Sequence, residues 1–155
     1  MKGSKILLRQ FEWKKDIQTI CEFHKDHVRI NFPDSMYKEK LFKEIVKNEY
    51  EKEPEGFLIV VDPKSSKDIG FLWLNTRYDP YRETKYGYIH HIHLVPEFRG
   101  KGIGTILMKM AEDYFRKKGV DFLQLGTYAN NPASVRLFKR VGYKIKRLVM
   151  EKRLG

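Results

Sequence analysis

The chain has 155 residues, of which 41% are hydrophobic and 14% aromatic, a composition that supports a packed core and argues against disorder. Its formal net charge of +11 favours an anionic partner, such as a phosphate-bearing small molecule, although a lysine-rich surface explains the charge equally well. The single cysteine excludes an intrachain disulfide, and no apolar run approaches the roughly 18 residues of a membrane span. We therefore expect one cytoplasmic domain over residues 1–155, without membrane or nucleic-acid partners.

The N-terminal half predicts a strand, two helices and a hairpin. A short strand is predicted over residues 4–9, and apolar side chains at helical spacing predict helices over residues 13–30 and 36–50. The continuous apolar run 56–62 predicts a buried strand, with which residues 69–77 pair back as a hairpin. The tyrosine-rich stretch 77–87 is predicted to be a loop.

In the C-terminal half, strands are predicted over residues 86–95 and 120–128, and helices over residues 103–118 and 130–142. The last segment, 143–154, is predicted to be a strand or a strand pair, which could also pair across a homodimer. The resulting order β-α-α-β-β-β-α-β-α-β indicates an α/β (α+β) fold with a mixed sheet and helices on its faces.

Three glycines stand at alternate positions directly before the clearest helix, in the stretch LVPEFRGKGIG. The first turn of a helix leaves about four N–H groups without internal partners, and glycines let an anion approach them. Arg99 and Lys101 add positive charge beside this turn. The spacing fits neither a Walker A loop nor a dinucleotide fingerprint. The stretch therefore predicts a phosphate-binding loop of another kind, with a glycine-rich turn without ligand as the alternative.

This loop resembles the acetyl-CoA loop of the GNAT superfamily of N-acetyltransferases, whose pattern is Arg/Gln-x-x-Gly-x-Gly/Ala; Arg99, Gly102 and Gly104 match it. The family's second element, an Asn before a helix that ends in Leu-Tyr-x-Lys-x-Gly-Phe, resembles Asn131 and the segment LFKRVGY at residues 137–143. The resemblance covers the whole chain and is strongest over residues 88–143. It implies a GNAT-like mixed, mostly antiparallel central sheet of six to seven strands with about four helices on its faces.

The resemblance also implies acetyl-CoA as co-substrate, with no metal, and an arm of that molecule lying between two splayed parallel strands, here 86–95 and 121–128. The reaction it implies is direct attack by a primary amine (a small amine, a peptide N-terminus or a lysine) on the acetyl thioester. Asn131 equally suits a helix N-cap. The positions that it assigns to the co-substrate are Ile92, His93, Leu94, Arg99, Gly100, Lys101, Gly102, Ile103, Gly104, Thr105, Asn131 and Ser134.

Two proton carriers of one branch of the family are missing. Ribosomal-protein N-terminal acetyltransferases use a Glu on strand five and the Tyr of Leu-Tyr, and Gly126 and Phe138 stand at these positions. A non-catalytic acyl-CoA-binding module is therefore kept as an alternative. As substitutes we consider His90 as general base, Tyr88 as acid or water anchor and Tyr128 as a donor to the thiolate, since histidine has a suitable pKa range. A hydrogen-bonded structural histidine explains His90 equally well.

Side chains alternate along a strand, so His90 is expected to share a face with Tyr86, Tyr88 and Ile92 and to point away from His91 and His93. On this expectation His90 and His91 do not share a metal ion, and no nearby cysteine or carboxylate completes a ligand set.

Two aromatic segments, INFPDSMY and TRYDPYRETKYGY, are expected to form the acceptor side. Aromatic rings with one polar edge suit amine or aromatic acceptors, although hairpin packing accounts for these residues equally well. The sequence does not specify which amine is the acceptor. The candidate acceptor-binding residues are Phe32, Tyr37, Tyr78, Tyr81 and Tyr86.

Overall fold

The computed structural model describes residues 6–155. Short 3₁₀ turns lie at Pro54–Gly56 and Pro96–Phe98. The elements in chain order are β1 (Leu7–Gln10), α1 (Trp13–Asn31), α2 (Glu39–Lys52), β2 (Phe57–Val61), β3 (Asp68–Asp79), β4 (Thr84–Leu94), α3 (Ile103–Lys118), β5 (Leu123–Leu125) and α4 (Pro132–Arg140).

The five strands form one sheet in the order β1-β2-β3-β4-β5. The first four strands pair antiparallel with their neighbours, and β4 pairs parallel with β5. These elements confirm the predicted mixed, mostly antiparallel sheet with four helices. The first predicted strand began at residue 4, and its residues 4 and 5 lie outside the described residues.

Two hydrophobic cores cover the two faces of the sheet. Consecutive side chains of β2 and β3 point to opposite faces, so each uninterrupted apolar run supplies both cores. The α1-side core consists of Phe11, Ile20, Cys21, Phe23, Phe42, Val46, Phe57, Ile59, Phe71 and Trp73. The α3-side core consists of Ile6, Leu58, Val60, Ile69, Leu72, Leu74, Ile89, Ile103, Leu107, Met108, Ala111, Phe115 and Phe138.

Helix α3 shows how the local sequence fixes an element. It begins after Gly102 and ends at Gly119, whose φ of 69° lies in the left-handed region that glycine adopts at helix ends. Lys117 and Lys118 occupy its last turn, where the helix dipole favours cations. The buried stripe that includes Leu107, Ala111 and Phe115 holds α3 against the sheet.

The predicted loop at 77–87 is wrong in extent, because β3 continues to Asp79 and β4 begins at Thr84. Cross-strand pairs such as Tyr78 with Lys85 extend the hairpin almost to its tip. The Asp79 carboxylate accepts hydrogen bonds from the backbone N–H groups of Tyr81 (2.8 Å) and Arg82 (3.2 Å) and thereby stabilises the short turn.

The predicted C-terminal strand over 143–154 is also wrong, and the described sheet has five strands rather than six to seven. Tyr143 packs against the α3-side core, but the chain beyond it leaves the sheet. The pairing of β5 covers only three residues, so this edge offers few backbone partners. The apolar side chains that suggested a strand are 64–91% exposed: Ile145, Leu148, Val149, Met150 and Leu154.

Among residues 6–155, none of the helices combines the length and the apolar character needed to cross a bilayer.

A buried ion pair joins β1 to the start of α1. Arg9 contacts both carboxylate oxygens of Asp16, at 2.7 and 2.8 Å, and the backbone N–H of Glu12 donates to the same carboxylate at 2.8 Å. Burial raises the pKa of Asp16, but the hydrogen bonds from Arg9 and Glu12 outweigh it and leave the pKa below its ordinary value. Asp68 is a more exposed second partner of Arg9, at 2.9 Å.

We expect Asp16→Asn to lower the free energy of unfolding by about 1–3 kcal/mol at pH 7, because the buried side chain loses its charge-assisted hydrogen bonds to Arg9, which keeps only Asp68 as an ionic partner. Asp68→Asn is the matched control and should cost under about 1 kcal/mol. Because the folded-state pKa of Asp16 is depressed, its contribution is complete above the unfolded-state pKa of about 3.9 and disappears as the pH falls through the folded-state value. Urea denaturation at pH 7 and at lower pH measures both effects; equal losses in the two variants would contradict the prediction.

Candidate active site

Strand β4 carries one extra residue opposite β3. Trp73 pairs with His91 and Leu74 pairs with Ile89, so His90 has no partner on β3 and forms a β-bulge. Ile89 belongs to the α3-side core, whereas the His90 ring stacks on Trp73 of the α1-side core at a centroid distance of 3.7 Å.

The bulge overturns the expected arrangement of faces. The rings of His90 and His91 lie on the same side of the sheet and stack at 5.0 Å, and Ile92 packs instead against the α3-side core. The Nδ1 atoms of His90 and His91 are 2.9 Å apart. Two neutral imidazoles at this distance need one N–H donor and one lone-pair acceptor, so the tautomer of His91 determines that of His90.

All five histidines of the chain meet in this region. The rings of His24 and His27 lie 5.4 and 4.9 Å from that of His91, and His93 stacks on Phe23 at 5.1 Å. Burial, followed by neighbouring positive charges, lowers the pKa of His24, His90 and His93 to about 4. His90 is therefore neutral at pH 7, the form that accepts a proton. Among residues 6–155, no group of three or more His, Cys, Asp or Glu side chains is placed to hold a metal ion.

Tyr88 lies beside His90 and reaches towards β5. Its ring is 5.8 Å from that of His90, and the guanidinium of Arg77 lies over it at 3.8 Å. A Cβ added to Gly126 would stand 3.4 Å from the Tyr88 hydroxyl. A side chain at position 126 would thus begin in van der Waals contact with the Tyr88 hydroxyl.

Tyr128 lies two residues after Gly126, and its ring packs edge-on against that of Phe32 at a centroid distance of 4.5 Å. Burial is the largest cause that raises the pKa of Tyr128, and the negative charge of an ionised Tyr88 is the next. The structure thus brings His90 and Tyr88 together and leaves Tyr128 near Tyr88, 45% exposed.

The parallel pairing of β4 with β5 ends at the bulge. The last pair is Ile89 with Leu125, whereas β4 continues to Leu94. In the described part of the chain, the β5 side of β4 is therefore unpaired beyond Ile89. The side chain of His93 is 7% exposed and turned into the cluster, and its backbone groups face Phe71 of β3, so Ile92 and Leu94 are the residues whose backbone groups face the unpaired side.

Backbone conformation explains two of the glycines before α3. Gly100 and Gly102 have φ angles of 73° and 78°, and a Cβ added at either would meet no atom within 4 Å. The third, Gly104, lets Leu137 of α4 pack closely, since its added Cβ would lie 3.0 Å from that side chain. In residues 6–155, none of the hydrogen bonds uses the backbone N–H groups from Gly100 to Thr105. These donors fit the phosphates of a coenzyme A ester.

Arg99 is fixed beside this loop by two contacts. Its Nε donates to the Leu94 carbonyl at 2.9 Å, and its Nη2 donates to Asp26 at 2.6 Å. Burial raises the pKa of Asp26, but hydrogen bonds from Arg99 and Arg29 outweigh it and leave the pKa below its ordinary value. Asp26 was not predicted as a site residue, because it lies on α1, outside the loop motif.

Asn131 has structural partners on both sides. Its Oδ1 accepts the backbone N–H of Ser134 at 3.3 Å, which makes Asn131 the N-cap of α4, and its Nδ2 donates to Asn31 at the end of α1 at 3.1 Å. Phe138, at the position of the missing tyrosine, is buried in the α3-side core.

The candidate acceptor residues do not converge on one site. Phe32 contacts Tyr128, Tyr37 lies 5.6 Å from His24, and Tyr86 stacks on Phe122 at 5.2 Å. Tyr78 and Tyr81 are 59% and 96% exposed on the β3–β4 hairpin.

A cleft of about 360 Å³ lies between the end of α2 and β3 and was not predicted from the sequence. No motif marks it, because its side chains come from two elements. They are Glu49, Lys52, Glu53, Asn75, Thr76 and Arg77.

Comparison with known proteins identifies the family. Residues 17–143 match the family model described as "Acetyltransferase (GNAT) family", so the chain belongs to this family and contains its acetyltransferase domain. An uncharacterized N-acetyltransferase of Methanocaldococcus jannaschii is 28% identical over 88% of the chain and 60% of its own length. The aminoalkylphosphonate N-acetyltransferase of Salmonella typhimurium is 27% identical over 90% of the chain and 93% of its own length.

Other curated relatives are matched over less of their length. An uncharacterized N-acetyltransferase YdgE of Bacillus subtilis is 31% identical over 56% of this chain and 54% of its own length.

Solved structures confirm the fold. An aminoglycoside N-acetyltransferase in complex with CoA aligns with a TM-score of 0.73 and 17% identity, over 99% of this chain and 97% of its own. A transcriptional regulator from Bacillus halodurans aligns with a TM-score of 0.74 and 18% identity, over 97% of this chain and 100% of its own.

We expect the histidines to remain neutral far below the usual range, because burial lowers all of their pKa values. An NMR pH titration should show His24, His90 and His93 without protonation at pH 6, whereas the urea-unfolded chain, as control, titrates near pH 6.5. As the pH falls, the unfolded state takes up protons before the folded state does, so the free energy of unfolding should decline below about pH 6.5. A folded-state midpoint above pH 6 for any of these three residues would contradict the prediction.

Proposed function

We propose that the protein is an N-acetyltransferase that moves an acetyl group from acetyl-CoA to a primary amine by direct attack. The observation that carries the proposal is the row of backbone N–H groups from Gly100 to Thr105 without protein partners, beside the fixed Arg99, in a chain of the GNAT family. Phosphates bind such a helix start through N–H donors, a partial positive charge and formal cations.

The unpaired edge of β4 beyond Ile89 is where we place the arm of the co-substrate. The backbone groups of Ile92 and Leu94 face away from β3 and offer the hydrogen bonds that β5 no longer takes up, and the Ile92 N–H is our proposed donor to the thioester oxygen. Preorganised donors of this kind stabilise charge that develops during acyl transfer. Asn131, Ser134 and Thr105 remain proposed co-substrate contacts.

Bound acetyl-CoA would supply the activated acetyl group, and the protein would handle the protons. An amine with a pKa near that of lysine, about 10.4, must lose a proton before it attacks. Neutral His90 is our proposed acceptor of that proton, directly or through one water, and His91 positions it through the Nδ1 contact. The Tyr88 hydroxyl is the proposed donor to the departing thiolate, and Tyr128 is the second candidate.

For the acceptor we propose a small primary amine. The relative named aminoalkylphosphonate N-acetyltransferase, which the chain matches over most of both lengths, supports this class over a peptide N-terminus or a protein lysine. The cleft of about 360 Å³ has the size of a small-ligand site.

We expect Gly102→Asp to weaken coenzyme A binding by at least about a hundredfold, because it places a carboxylate beside the unpartnered N–H groups. Gly102→Asn is the matched control, since asparagine strains the same left-handed backbone without adding charge. Isothermal titration with coenzyme A measures both variants. Wild-type affinity in Gly102→Asp would exclude the loop as the phosphate site.

We expect His90→Gln to lower kcat by about 10²–10⁴-fold, the usual contribution of a general base, while coenzyme A affinity stays within about twofold. His24→Gln serves as a control and should retain most of the turnover, because the His24 ring belongs to the histidine cluster but contacts His91 rather than His90. Thiol release from acetyl-CoA with a panel of amines measures turnover. Wild-type turnover in His90→Gln between pH 6 and 9 would remove His90 from the mechanism, and no amine-dependent release in the wild type would favour a non-catalytic acyl-CoA-binding module.

A further inference from the structure

The cleft between α2 and β3 opens beside the candidate catalytic pair. Asn75 lines it and pairs across the strands with Tyr88, so both side chains lie on the α1 side of the sheet. Asn75 is only 4% exposed, and its Oδ1 has no hydrogen-bond partner in the described structure. Because this oxygen is closed to solvent, a ligand in the cleft does not reach it, and the polar groups open to a ligand are those of the other lining residues.

The acidic side chains of the cleft are already paired. Glu53 accepts hydrogen bonds from the Thr76 backbone N–H at 2.6 Å and from the Tyr114 hydroxyl at 2.7 Å. Glu49 pairs with Lys52 at 3.0 Å. These carboxylates are thus largely engaged within the protein.

Arg77 is the cation of the cleft that lacks such a partner. Among residues 6–155, no carboxylate oxygen lies within 4.0 Å of its guanidinium, which rests 3.8 Å above the Tyr88 ring. Stacking on an aromatic face leaves the edge of the guanidinium, with its N–H donors, open to a planar or tetrahedral anion.

We propose that the acceptor is a small primary amine that also carries an anionic group, with its carboxylate or phosphonate bound at Arg77. This inference rests on the proposed function, because it assigns the acceptor class of the same site. The guanidinium of Arg77 lies over the ring of Tyr88, which is next to His90, so a linker of a few bonds lets the amine reach from Arg77 towards the proposed base.

Such an acceptor also acts on the proposed base. After burial, the charge of Arg77 is the largest influence that lowers the pKa of His90, and Glu49 opposes it. An anion paired with Arg77 offsets that charge and brings His90 closer to the basicity that proton abstraction needs. Recognition of the acceptor and activation of its amine are thereby coupled.

The test compares acceptors that differ in charge: β-alanine and 2-aminoethylphosphonate against neutral β-alaninamide and 2-methoxyethylamine, each with acetyl-CoA. We expect kcat/KM in the wild type to be about 10- to 100-fold higher for the anionic amines, and Arg77→Gln to abolish that preference through a raised KM. Arg82→Gln is the matched control, because Arg82 also stacks on an aromatic ring, Phe122 at 4.5 Å, but already pairs with Asp79 at 3.5 Å. It should retain the preference. The ratio of kcat/KM for β-alanine to that for 2-aminoethylphosphonate shows whether the site prefers a carboxylate or a phosphonate.

Equal kcat/KM for neutral and anionic amines, or an equal loss for both in Arg77→Gln, would overturn the inference and leave acetyl transfer intact. A binding experiment separates it from the proposed function. Titration with β-alanine should shift the NMR signal of the Arg77 Nε–H, and β-alaninamide should leave that signal in place. This shift without transfer to any amine would contradict the proposed function and support the inference; the absence of both the shift and the preference would overturn the inference.

Discussion

One extra residue in β4 organises the active-site side of this molecule. The bulge at His90 turns two consecutive histidines to the same face, ends the pairing with β5 and leaves the end of β4 unpaired. Without it, side chains would alternate, and His91 would leave the neighbourhood of His24 and His27. The local disruption therefore positions the proposed base and opens the strand edge on which the proposed co-substrate site depends.

The two ends of the proposed site differ in electrostatic design. At the start of α3, backbone donors and Arg99 make a rigid receptor for negative charge, and Asp26 holds the guanidinium without cancelling the donors of the loop. Around His90, burial keeps the imidazole rings neutral. In the proposed mechanism an anionic group binds at the loop, and the amine proton passes to an imidazole that burial keeps neutral.

The sequence was most informative where local signals agree. The helix ending at Gly119, the apolar run of β2 and the family motif around Arg99 were predicted correctly, because each depends on neighbouring residues. The bulge could not be predicted, since strand periodicity assumes an uninterrupted ladder. The contact of Asp26 with Arg99 and the cleft lined by Asn75 each join elements that are far apart in sequence, so no local pattern indicates them. The apolar residues of the C-terminal segment predicted a further strand, but this segment does not pair with the short edge strand β5.

Gly126 determines how much room surrounds the end of the Tyr88 side chain. A Cβ at position 126 would be in van der Waals contact with the Tyr88 hydroxyl, so glycine leaves this side of the phenol without a neighbouring side chain. A longer residue at position 126 would crowd the phenol, and we therefore expect substitutions at these two positions to have coupled rather than additive effects.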